Sequence, residues 1–170
     1  MKLSNKLVEW VVKEVAGEDV VPLVNSLKNK KNISEFKIAD DIKREINLTR
    51  NMLYRLYHAN LVSFIRRKDK KKGWYIYYWT FNLKRVIYLA QSLKKQRLES
   101  LKERLKRERE NYFYSCVNKC IRLDFDRSTG FNFKCPECGE LMTLEDNKRT
   151  IEEIEKEIGN IEAELNTFKS

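Results

Sequence analysis

The order of apolar and polar positions divides the chain into helical, alternating and again helical stretches. Leu7, Val8, Val11, Val12 and Val15 recur at helical spacing between Ser4, a suitable N-cap, and Gly17, a stop. A second helix is predicted from about Asp19 to Lys28, with Pro22 tolerated in its first turn. Ser34 predicts the start of a third, with Phe36, Ile38, Ala39, Ile42 and Ile46 as its apolar set. Asn47 or Thr49 predicts the cap of a fourth running to about Asn60, with Leu48, Leu53, Leu56 and Tyr57 facing inward. The period then falls to two. Leu61 to Ile65 and Trp74 to Trp79 read as strands joined by a basic turn ending at Gly73. Helices followed by a hairpin with a basic tip predict a winged helix-turn-helix over residues 1–81.

From Leu83 to Leu105 an apolar stripe runs without Gly or Pro. It predicts one long helix over 82–110, capped by Asn82 and on the order of 40 Å long. Ile151, Ile154, Ile158, Ile161, Leu165 and Phe168 are spaced 3, 4, 3, 4 and 3 apart, a heptad seam on a helix over 147–170. Gly159 falls on its outer face. The chain is therefore expected to be mainly α with small β elements.

Charge sharpens this division. The 170 residues carry a net charge of +10. Residues 1–83 hold +8, residues 84–109 hold +7 and residues 110–170 hold −5. A basic long helix and an acidic last helix, each with one apolar seam, predict an antiparallel pair with the intervening segment at its tip. Glu152, Glu155 and Glu162 would then lie near basic side chains; the alternative is a tail that docks on another protein. An excess of positive charge implies an anionic partner without naming it. No apolar run approaches the roughly 18 residues that span a bilayer. No signal-peptide pattern opens the chain, so a place outside the secretory route is expected.

All four cysteines fall within 111–146. Cys116-x3-Cys120 and Cys135-x2-Cys138 stand fourteen residues apart. Thiolates on two short knuckles can meet at one tetrahedral zinc, and Gly139 permits the positive φ that the second knuckle needs. Ile121–Phe125 and Phe131–Phe133 alternate like short strands, as in a zinc ribbon. Two disulfides and an iron–sulfur cluster are the alternatives. Four thiolate ligands leave no open position, so the metal would be structural. A segment this short cannot bury enough apolar area to fold alone. Metal binding, worth roughly 10–16 kcal/mol, would supply the difference.

The fourth helix offers Arg50, Asn51, Met52, Tyr54, Arg55 and His58 to a major groove, but the helix before it offers Asp40, Asp41 and Glu45, which repel phosphate. The wing is more pointed: Arg66, Arg67, Lys68, Lys70, Lys71 and Lys72 crowd its tip against Asp69. Trp74, Ile76 and Tyr78 share one face of the next strand, and Tyr75, Tyr77 and Trp79 the other. With the Ile76 face buried, Tyr75, Tyr77 and Trp79 are expected to be exposed beside the cationic tip. That suits stacking on unpaired bases, or a protein interface. No Gly-rich phosphate loop and no nucleophile–base pair stand out, so an enzyme and a small-molecule substrate are not expected.

The order of winged helix, long charged helix, four-cysteine ribbon and acidic helix resembles the archaeal transcription factor E family, homologous to the alpha subunit of TFIIE. Lys72-Gly73-Trp74-Tyr75-Ile76-Tyr77-Tyr78-Trp79, Tyr112-Phe113-Tyr114 and Phe133-Lys134-Cys135-Pro136-Glu137-Cys138-Gly139 carry the resemblance. The first knuckle departs from it, with three residues between its cysteines and no Gly after them. The resemblance implies a general initiation factor that binds RNA polymerase, at its clamp and stalk, beside the TATA-binding protein and transcription factor B. It implies promoter melting, contact with the non-template strand through residues 66–72 and Tyr75, Tyr77 and Trp79, one structural Zn2+, and a cytoplasmic, nucleoid-associated place of work. The rival reading is a sequence-specific winged-helix regulator of duplex DNA with a structural ribbon.

Overall fold

The computed structural model describes residues 4–70 and 73–168. The chain forms two compact units, Met1–Ser92 and Leu93–Ser170.

In the first unit, α1 (Asn5–Ala16) buries Val8, Val11, Val12 and Ala16. It stops at Gly17, whose φ is +100° and whose Cβ, were there one, would stand 2.8 Å from Asp19 Oδ1. Arg55 Nη1 donates to the Ala16 carbonyl at 2.7 Å and so closes the helix end with a cation. A 3-10 turn (Glu18–Val20) leads into α2 (Val21–Leu27), with Pro22 in its first turn. Ser34 caps α3 (Glu35–Asp41) by accepting from the Lys37 N–H at 3.3 Å.

The next helix, α4 (Ile46–His58), starts earlier than its polar residues suggest. Glu45 occupies the cap position, so Ile46 belongs here rather than to α3. Thr49 lies inside, buried, and donates to the Glu45 carbonyl at 3.0 Å. Its inner face is Thr49, Met52, Leu53 and Leu56, whereas Leu48 and Tyr57 are exposed.

Three antiparallel strands complete the unit, in the order β1 (Ile33–Ser34), β3 (Tyr75–Phe81), β2 (Val62–Lys68). The register sets Val62 opposite Phe81, Phe64 opposite Trp79, and Lys68 opposite Tyr75. Helices α1, α3 and α4 with this wing make a winged helix-turn-helix. Its core holds Val11, Leu23, Leu27, Ile38, Leu53, Leu56, Leu61 and Trp79, each 1% exposed or less.

Helix α5 (Leu83–Glu110) contributes its first part to this unit, where Val86 and Ala90 are buried. Asn82 precedes it: its carbonyl accepts the Arg85 N–H at 3.0 Å, while its side chain accepts from Ser63.

In the second unit the rest of α5 runs antiparallel to α7 (Lys148–Thr167), as the heptad seam predicts. Leu101, Ile154 and Ile161 are buried together, flanked by Leu98, Leu105, Ile158 and Leu165. Ion pairs cross the seam: Lys94 with Glu164, Arg97 with Glu157 at 3.0 Å, Lys102 with Glu162 at 2.7 Å, and Arg109 with Glu155. Glu155 and Glu162 thus lie where the charge pattern puts them; Glu152 has no ion-pair partner among the described residues. Such exposed pairs contribute at most about 1 kcal/mol each, and the apolar seam carries the association.

Between the two helices sits a three-stranded antiparallel sheet in the order β5 (Arg122–Asp124), β4 (Phe113–Cys116), β6 (Met142–Leu144). Phe131–Phe133 is not the strand its alternation predicts. Asp124 caps a short helix, α6 (Phe125–Gly130), by accepting from the Arg127 N–H at 2.9 Å. Asn132 and Phe133 then turn through φ of +51° and +56°. One buried node ties sheet to helices. Glu108, 4% exposed, receives both Arg122 Nη groups at 2.9 and 2.8 Å and Asn147 Nδ2 at 2.9 Å.

Candidate metal centre and binding surface

The ribbon's turns bring four thiols together. Cys116 ends β4, and Lys119 N–H donates back to its carbonyl at 2.9 Å. Lys119 itself takes φ of +56°, so the longer first knuckle finds its left-handed residue between its cysteines instead of at a following Gly. The second knuckle closes with the Cys135 N–H donating to Glu140 and the Gly139 N–H donating to Cys135, both at 2.8 Å, with Gly139 at φ +77°. The four Sγ atoms lie within 4.8 Å of one another. Cys116 and Cys138 are 3.4 Å apart and unbonded, and all four cysteines are free thiols gathered at one point. Four sulfurs about a zinc with Zn–S of ~2.3 Å stand about 3.8 Å from each other, and this cluster needs only small adjustments to reach that spacing.

The donor set suits a soft divalent cation. Leu123, Met142, Tyr114 and Ile121 surround the two buried cysteines, Cys116 and Cys135. The Cys138 thiol is drawn down to about 7, chiefly by the Glu140 backbone N–H and then by the Asn118 amide, which donates to its sulfur at 3.6 Å. Cys120 is pushed up to about 12, first by its hydrogen bond with Cys138 and then by desolvation. Four sulfurs this close cannot all ionise unless a cation compensates them.

The wing presents a different surface from the one its alternation suggests. Trp79 is 1% exposed, not part of an open patch. Its ring lies 5.0 Å from Phe64, 6.1 Å from Tyr54 and 6.3 Å from Tyr57, centroid to centroid. The reason is the strand's true end. It continues to Phe81, so Trp79 and Phe81 together, opposite Phe64 and Val62, make the larger apolar face and turn inward. Tyr77 on that face is half-buried against Phe64 at 5.1 Å. Tyr75, nearest the tip, is 52% exposed. On the other face Ile76 and Tyr78 are half-buried, and Trp74 is 51% exposed rather than buried.

Arg66, Arg67, Lys68 and Lys70 are exposed, as their place on the wing predicts; Lys71 and Lys72 lie outside the described residues. Arg66 stands 4.9 Å from the Tyr75 ring and Arg67 5.6 Å from Tyr78, so cations and aromatics interleave along the hairpin. Pattern alone does not disclose a groove of about 340 Å³ lined by Phe36, Ile46, Arg50, Trp74 and Tyr75. Phe36, assigned to the core by its spacing, is 45% exposed and lies 5.9 Å from the Arg50 guanidinium.

Helix α4 loses its two cations to internal pairs. Arg50 is held by buried Glu35 at 2.8 and 3.2 Å, which raises its already high pKa, and Arg55 is held by Asp19. Met52 is buried. What remains outward is Asn51, Tyr54 and His58, a thin set for reading a duplex.

Comparison with known proteins accords with this architecture. The sequence pattern of the TFIIE alpha subunit family matches residues 6–110. Transcription factor E of Pyrococcus abyssi is 35% identical over 166 residues, covering 97% of this chain and 87% of that one. Transcription factor E of Methanococcus maripaludis is 35% identical, covering 96% and 95%. That of Thermococcus kodakarensis is 32% identical over 169 residues, covering 99% and 91%. Among solved structures, a possible transcriptional regulator from Methanosarcina mazei superposes with a TM-score of 0.51, covering 58% of this chain and 86% of that one. At 14% identity it is a likeness of fold alone.

Proposed function

This chain belongs to the TFIIE alpha family, transcription factors and not enzymes, and from that premise we propose that it is a general initiation factor that binds RNA polymerase in the preinitiation complex. The observation that carries the reading is 35% identity over 166 residues, a span that takes in the wing, the helical pair and the four cysteines alike. The partners are the polymerase clamp and stalk, the TATA-binding protein, transcription factor B and the non-template strand. The work is done in the cytoplasm, on the nucleoid. Its action is thermodynamic: a factor that binds the open promoter complex more tightly than the closed one shifts the population by that difference.

The residues at work are Arg66, Arg67, Lys68, Lys70, Lys71 and Lys72, with Tyr75 and the outer edge of Tyr77. Exposed cations interleaved with aromatic rings suit an unpaired strand, which offers both phosphates and open base faces. Trp79 serves from inside, holding β3 to α4. Winged helix 1–81, linking helix 82–110, ribbon 111–146 and last helix 147–170 are its working parts.

We infer that the ribbon's metal is Zn2+, held by Cys116, Cys120, Cys135 and Cys138. Bound there, it compensates the thiolate charge and fixes the two knuckles; four protein ligands leave it no reactive position.

Binding to purified archaeal polymerase, compared with binding to random and to selected duplexes, tests the reading. The proposal expects a polymerase complex and no sequence preference among duplexes. Sequence-selective duplex binding without polymerase affinity would establish the rival regulator instead.

A further inference from the structure

The glutamates of α7 neutralise only part of the basic helix. Arg104 and Arg107 are exposed and have no ion-pair partner among the described residues. Three residues apart, they share one side of α5. Both line a pocket of about 400 Å³ where the helix meets the ribbon sheet.

Arg122 and Arg127 also line it. Arg122 is fixed in position: Glu108 takes both its Nη groups, Glu145 accepts from Nε at 3.0 Å, and its guanidinium lies 3.9 Å from the Phe113 centroid. The acids on the wall are Glu108 and Asp124, and both are engaged. Glu108 is bound by Arg122 and Asn147, and its carboxyl is held below its ordinary range, first by Arg122. Asp124 accepts the Arg127 backbone N–H and lies 3.7 Å from that residue's Nε. With Glu145 counted, four arginines against three acids leave a net positive charge, and Arg104 and Arg107 are the two arginines of the wall without an ion-pair partner among the described residues.

We propose that this pocket binds a phosphodiester group of a nucleic-acid strand, a second contact separate from the wing and independent of the polymerase reading. Guanidinium forks match the paired oxygens of a phosphate. Protein interfaces centre on apolar anchors, and here Phe113 is the one apolar side chain on the wall, covered by Arg122. An acidic peptide is therefore the poorer occupant.

Fluorescence anisotropy of a labelled 20-nucleotide single strand, titrated with the full zinc-loaded chain between 50 and 300 mM KCl, tests this. R104A/R107A removes two contacts to that phosphate. Because both arginines hold one phosphate, it should lower the slope of log Kobs against log salt by about 0.7 and weaken binding about 5-fold at 100 mM KCl. K95A/K106A, the same charge change on the same helix but outside the pocket, should lower the slope by less than half as much. Both variants replace exposed side chains, and circular dichroism checks that they fold. An unchanged slope in R104A/R107A, equal losses in both variants, or no binding by the parent chain at 50 mM KCl overturns the site. So does hexaglutamate that displaces the strand as well as an unlabelled oligonucleotide of equal charge does, which would assign the pocket to an acidic peptide.

Discussion

Replacing Trp79 by Ala separates the buried face of the wing strand from the exposed one. Trp79 is 1% exposed and touches Phe64, Tyr54 and Tyr57 by ring contact. Truncating a buried Trp to Ala costs about 3–5 kcal/mol, from lost transfer energy and the cavity left behind. The aromatic cluster cannot close that cavity without giving up its own edge-to-face contacts, so the upper half of the range is expected. Trp79→Phe should cost far less, below about 1.5 kcal/mol. It loses part of the ring, but it also removes a buried indole N–H that finds no acceptor among the described residues, and an unsatisfied buried donor costs roughly 1–3 kcal/mol. Tyr75→Ala, at 52% exposure, should fall within about 0.5 kcal/mol of the parent. Urea unfolding followed by circular dichroism at 222 nm measures all three without relying on tryptophan emission. A cost below about 1 kcal/mol for Trp79→Ala, or an equal cost for Tyr75→Ala, would refute the assignment of faces.

Four further outcomes are expected. Ile154→Ala, at a site 4% exposed, should cost about 2–4 kcal/mol and raise amide hydrogen exchange along 98–105, because the seam is what holds α5 to α7. Truncation after Asn147 should do the same more severely, and unchanged protection would mean that α7 docks elsewhere. Glu108→Gln should cost about 2–4 kcal/mol, since Arg122 keeps Glu145 but loses its main partner. The Glu108 carboxyl lies below its ordinary value of 4.5, so its contribution is complete above that pH and fades as pH falls through the lower folded-state value; the variant should lack this acid-limb loss in a pH series of unfolding. Metal removal by a chelator, or Cys135→Ser, should melt β4–β6 while leaving the first unit folded, with a zinc-to-protein ratio of one in the parent by elemental analysis.

Local chemistry made much of this molecule legible. Ser34 announces a cap and caps; the 3-4 spacing from Ile151 to Phe168 announces a seam, and Ile154 and Ile161 are its most buried members. The cysteine spacing delivers four sulfurs to one point. What escaped the sequence depends on distant partners. Arg50 and Arg55 look free until Glu35 and Asp19, 15 and 36 residues away, bind them. β1 is two residues long and exists because Trp79 and Tyr78 pair with it. Phe131 and Phe133 alternate like a strand, but the Asp124 cap and two positive φ values make a helix and a turn. A strand ended at Trp79 leaves that ring outward; the two further residues to Phe81 tip the balance of apolar area and turn it inward.

On the proposed function, exposed wing cations and Tyr75 favour an opened promoter. Permanganate reactivity of non-template thymines, in complexes of archaeal polymerase with the two other initiation factors and this chain, tests it most directly. R66A/R67A/Y75A replaces exposed side chains and should leave folding and zinc content intact. The parent chain should raise thymine reactivity and the variant should fail to. Equal stimulation by the folded variant would contradict it.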